Sequence, residues 1–104
     1  MGFFDKIQDL GEAVAEVFEG DEIPPERRGL GGEYDQSGLA KRVALMCDND
    51  PLVSPLDTVW VAQTGGTVVF KGTIPDETMR QHLMNLAFQT EGTTDVLTDE
   101  LYVG

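Results

Sequence analysis

The chain has one cysteine, one histidine, one tryptophan and only 7 basic residues among 104. With Cys47 alone, these residues can form no internal disulfide, which fits a reducing compartment. With His82 alone, no Ser-His-Asp arrangement can be argued, and the cysteine and histidine show no spacing signature. No G-x-x-x-x-G-K-[ST] phosphate loop occurs. No window approaches ~18 consecutive apolar residues, so nothing reads as a membrane span. The opening Met1-Gly2-Phe3-Phe4-Asp5-Lys6 does not read as a secretory signal, because Asp5, Lys6, Gln8, Asp9 and Glu12 interrupt any apolar run. N-myristoylation would want Ser or Thr where Lys6 stands. These absences lead us to expect a cytoplasmic protein.

The scarcity of basic residues is matched by 19 acidic ones, for a net charge of -12. A field of that sign repels phosphate backbones and anionic headgroups. Nucleic acid and acidic membrane surfaces are therefore poor partners, while cations and basic protein surfaces are better ones. The plainer reading of the charge is solubility. The length suits one ordinary domain, and a hydrophobic content of 40% allows a core.

Residues 1–18 read as an amphipathic helix. Phe3, Ile7, Leu10, Val14 and Val17 are spaced to fall on one stripe, which expects cover from the same domain or a partner. Its polar face carries mostly Asp and Glu, unlike a membrane-surface helix. Residues 19–36 read as a Pro- and Gly-rich acidic linker, with Pro24 and Pro25 stiffening it and Gly29, Gly31 and Gly32 loosening it. Only Ile23, Leu30 and Tyr34 are expected to anchor it. Arg27 and Arg28 are expected to pair with acids.

Residues 37–104 read as the domain. Ser37 is a plausible N-cap for a helix to about Cys47, with Leu39, Val43 and Met46 inward and Ala40 and Cys47 beside them. Asp48-Asn49-Asp50-Pro51 ends it. That run is similar to the start of an EF-hand loop but lacks its later glycine and glutamate, so it reads as a helix stop. Thr58–Thr64 and Thr67–Thr73 alternate as strands around Gly65-Gly66, where both glycines can take positive φ. Pro75 and Asp76 open a helix to about Thr90, with Met79, Leu83, Leu86 and Ala87 inward and Phe88 at its edge. Gly92 stops it. Val96, Leu97, Leu101, Tyr102 and Val103 mark a last strand, parallel to the second because a helix crosses between them. The fold class is α+β: αββαβ, two helices on a three-stranded mixed sheet. The expected common core holds Val59, Val61, Val68, Phe70, Leu83, Ala87, Leu101 and Val103.

A longer frame runs through these elements. Val59-x-Val61 precedes Gly66-Thr67-Val68-Val69-Phe70-Lys71-Gly72-Thr73-Ile74. Leu83 and Ala87 follow on a helix, then Gly92, Val96, Leu101 and Val103. Over residues 37–104 this frame resembles the BON domain, named for bacterial osmotic-shock and nodulation proteins. The family's hairpin glycine, its V-x-L-x-G-x-V strand and its glycine before the last strand all have counterparts. Phe70 stands where that strand often has Leu, and Thr93-Thr94 where Val often follows the glycine. The opening Met1–Ile7 with Gly11-Glu12 is similar to the start of bacterial cytoplasmic potassium-binding proteins. Those join an N-terminal helix, a BON domain and a LysM domain, and the LysM part has no counterpart here.

The resemblance implies a non-enzymatic module that binds a monovalent cation, most simply potassium, with no other cofactor. It points to backbone carbonyls of Phe88, Thr90 and Thr93 where the last helix ends, and of Ile7 and Leu10 in the first helix. Physics adds its own reason. The last four carbonyls of a helix lack internal partners and carry the negative end of its dipole, and such oxygens can replace a potassium hydration shell. A different class of function is a protein–protein interaction module using the open sheet face, where Trp60, Val69 and Tyr102 lie opposite the helices. Phospholipid association, proposed for envelope BON domains, is opposed by charge. Cys47 reads as a buried small hydrophobe and His82 as a structural histidine, so no enzyme is expected.

Overall fold

The computed structural model describes residues 2–7 and 23–104. The fold is α+β. In chain order come α1 (Gly38–Asp48), β1 (Val59–Thr64), β2 (Thr67–Ile74), α2 (Glu77–Phe88) and β3 (Asp95–Val103). β1 and β2 are antiparallel, β2 and β3 are parallel, and the strand order is β1-β2-β3. The parallel pair follows from α2, which carries the chain back to the start of the sheet.

One core joins both helices to one sheet face. Leu39 and Val43 of α1 meet Val59, Val61, Val68 and Phe70 of the hairpin and Leu83 and Ala87 of α2, all fully buried. Asp76 caps α2, its carboxylate accepting from Met79 N at 2.9 Å. Ser37 stands at the N-cap of α1, but its hydroxyl makes no capping bond. Its N–H instead donates to Asp35 Oδ1 at 2.9 Å.

Several expectations are corrected. The first helix does not begin at Gly2: Phe3–Lys6 form a 3₁₀ turn, and Ile7 leaves it extended, bridged in parallel to Val61. The cause is tertiary. The Asp48 carboxylate accepts from Phe3 N at 2.6 Å and Phe4 N at 3.0 Å, holding the turn at the end of α1. Phe3 is fully buried in the core, and Lys6 donates to Leu56 O at 3.2 Å. Leu10, Val14 and Val17 lie outside the described residues. Val103 is half exposed, because it sits on the last rung of the sheet opposite Ile74, which takes the buried place instead. At the hairpin only Gly65 has positive φ, at 58°, as a type II′ turn requires at its first central position.

The stretch expected as a linker is folded onto the domain over its described part. Pro25–Arg27 form a 3₁₀ turn, and Arg28 and Tyr34 form an antiparallel bridge. Its anchors are not the expected ones. Leu30 and Tyr34 are exposed and Ile23 is only half buried, whereas Arg27 is 2% exposed and donates to Gln36 O at 2.7 Å.

Candidate functional site

The expected carbonyl cluster lies where α2 ends. Gln89 N donates to Asn85 O and Thr90 N to Ala87 O, so the chain tightens before Gly92 turns it at φ 103°. Thr90 is buried. Its hydroxyl donates to Leu86 O at 3.1 Å, and its carbonyl accepts from Thr93 N at 3.2 Å. Thr93 Oγ1 is buried with no hydrogen-bond partner among the described residues. Phe88, the last residue of α2, is half exposed. Phe88, Thr90 and Thr93 thus share this end of the helix. Ile7 is placed beside β1 through its bridge to Val61, and Leu10 is outside the described residues.

A cation already serves this end of α2, and it belongs to the chain. Arg42 of α1 donates through Nε to Arg28 O at 3.0 Å, through Nη1 to Glu91 O and through Nη2 to Pro25 O. Arg28 in turn pairs with the Glu91 carboxylate at 2.7 Å. A planar guanidinium suits three carbonyls converging from two stretches, and its charge complements the dipole of α2. Desolvation and the nearby Arg28 charge lower the Arg42 pKa, with Glu91 opposing them. Gly92 is needed for this approach: a Cβ there would lie 2.9 Å from the Pro25 carbonyl carbon.

His82 Nε2 lies 2.9 Å from Asp50 Oδ2, tying α2 to the loop after α1. This hydrogen bond holds the Asp50 carboxyl below its ordinary range. Burial, then the charges of Asp48 and Asp50, push the Cys47 thiol up to about 12. Among the described residues no group of three or more His, Cys, Asp or Glu side chains could hold a metal ion. No helix among them is long and apolar enough to cross a membrane.

The sheet face opposite the helices forms a second candidate. Register places Ala62, Val69 and Leu97 in one row and Trp60, Lys71 and Glu100 in the next, with Tyr102 beside Thr73 beyond. Trp60 is 43%, Leu97 42% and Tyr102 61% exposed. Val69, expected as part of an exposed apolar surface, is half buried. Lys71 Nζ and Glu100 Oε2 pair at 3.3 Å, and Lys6 Nζ lies 5.9 Å from the Trp60 ring centroid.

Two contributors escaped the sequence reading. Leu97 reaches the open face because β3 carries one extra residue between Leu97 and Glu100, a bulge that changes the alternation. The spacing of Val96 and Leu101 was its signal, since five residues cannot separate two inward positions of a regular strand. Arg42 gave no signal, because its partners are backbone oxygens. No family model matches the chain, and no curated protein matches its sequence.

Proposed function

We propose that this chain is a non-enzymatic binding module, with a cytoplasmic setting, and that the open sheet face is its binding surface. One observation carries the reading: Trp60, Leu97 and Tyr102 are all substantially exposed on the face opposite the helices. Apolar side chains gathered on one face mark interaction surfaces more often than scattered ones do. A BON-like identity belongs to the same proposal, supported by the helix–strand–strand–helix–strand order.

Trp60 is the chain's one tryptophan, so its emission reports on this surface alone. A photoreactive phenylalanine analogue at position 102 would capture a partner covalently. The captured protein, purified and mixed with the unmodified chain, is expected to shift Trp60 emission to shorter wavelength. Emission that stays that of an exposed indole would overturn the reading.

Thr93 favours a second reading, a bound monovalent cation such as potassium. Among the described residues its buried hydroxyl oxygen has no partner, and it lies at the end of α2, where carbonyls also gather. Thermal melts in matched potassium, sodium and calcium chloride test it. A midpoint rise specific to potassium supports a site. An equal rise in all three salts would indicate charge screening and remove the reading.

A further inference from the structure

We propose that the outer edge of β3 receives an extended basic segment of a protein partner, added as a fourth strand. This rests on the interaction-module reading and gives the partner a chemistry. β3 pairs only with β2, and among the described residues no other strand or bridge meets its far side. A strand so placed presents a row of N–H and C=O groups suited to another chain. β3 runs nine residues, from Asp95 to Val103. Its side chains make the edge selective.

Between Asp95 and Val103 the strand carries Asp95, Asp99 and Glu100 and no lysine or arginine. All three acids are exposed. Two copies paired edge to edge would bring like charges together. Charge therefore disfavours self-assembly, acidic strands and nucleic acid alike. A strand with lysines or arginines on alternate positions would set one of them against Glu100 on the open face. Its apolar alternates would turn to the other face, that of Val96 and Leu101. Glu100 already pairs with Lys71 across β2, so an added cation on the far side would complete a row of alternating charge.

The probe is a short capped peptide alternating valine with lysine, titrated into the full chain. Two observables are read together: amide hydrogen exchange along β3 and Trp60 emission. The proposal expects slowed exchange at amides of Glu100–Val103 that exchange freely before peptide is added. It expects no slowing from the valine–glutamate peptide, nor from a valine–lysine peptide N-methylated on the pairing edge, which lacks the donors. Glu100→Lys should weaken the lysine peptide about tenfold, since like charges then face each other. Slowed exchange with both lysine peptides, methylated or not, would mean attraction by charge alone and would overturn strand addition. A Trp60 shift without change at β3 would also overturn it while leaving the sheet-face reading intact. Slow exchange at these amides in the free monomer would show the edge already covered and end the proposal. If exchange at β3 instead slows with chain concentration, the occupant is a second copy.

Discussion

Arg42 reaches from α1 to the carbonyl oxygen of Glu91 beyond the end of α2, so one side chain links the two helices through backbone. The same guanidinium holds Pro25 O and Arg28 O. Arg42→Met should lower stability by about 1.5–3 kcal/mol, the scale for hydrogen bonds to a charged group. Arg42→Lys should recover only part of this, because an ammonium lacks the planar fork. Glu91→Gln should cost under about 1 kcal/mol, since the Arg28–Glu91 pair is largely exposed. Urea melts of the three variants check the order. Equal losses for Arg42→Met and Glu91→Gln would show that the exposed ion pair, not the carbonyl clasp, carries the effect.

The N-terminal turn should behave as part of the core. Phe3 is fully buried, and its N–H is held by Asp48. Phe3→Ala is expected to cost about 3–5 kcal/mol, as for other buried aromatics. Asp48→Ala, which removes the acceptor for two backbone donors, should cost less, about 1–3 kcal/mol. A Phe3→Ala protein that melts like the parent would show that the turn is not docked in solution.

Asp35 supplies a pH dependence with a definite sign. Desolvation pushes its pKa up. Hydrogen bonds from Lys41, at 2.6 Å, and from Ser37 N, with the Lys41 charge, together outweigh it, and the net shift is downward. A depressed folded pKa stabilises the fold above the unfolded value of about 3.9 and loses that stability as pH falls through the folded value. The stability gap between the parent and Asp35→Asn should hold from neutral pH to about pH 5 and close in stronger acid. A gap that widens in acid would reverse the assignment.

Cys47 should be inert in the folded protein. Its thiol is fully buried and pushed up to about 12, so almost no thiolate is present at neutral pH. An alkylating reagent at about pH 8 should label it only after urea unfolds the chain. Rapid labelling without denaturant would show that α1 opens locally.

Strand alternation and helical spacing made most of the domain legible. Val59, Val61, Val68 and Phe70 are inward as read, and so are Leu39, Val43, Leu83 and Ala87. These positions depend on local periodicity, which the sequence displays directly. The errors fall where distant residues decide. Phe3–Lys6 looks helical until the Asp48 carboxylate takes the N–H groups of Phe3 and Phe4. Residues 23–36 look like a linker because two prolines and three glycines interrupt them, yet Arg27 and the carbonyls held by Arg42 fasten them down. Val103 follows the right parity but sits past the cover of the core. Of the candidate site, the gathering of Phe88, Thr90 and Thr93 was readable from the helix stop. The guanidinium beside it was not, because no pattern of side chains marks a bond to backbone.

The pairing order of the sheet also sets how the chain must assemble. β1 and β2 meet through a two-residue turn, so their pairing closes a short loop and can form within microseconds. β2 and β3 are joined through all of α2, and their parallel pairing brings together Thr67 and Asp95, far apart along the chain. Closing that longer loop has an entropy cost that is recovered only when the helix packs. The hairpin is thus an early local event and β3 a late arrival, and between the two β2 has an open edge. During that interval Val68 and Phe70, both fully buried in the finished fold, still lack the cover of α2.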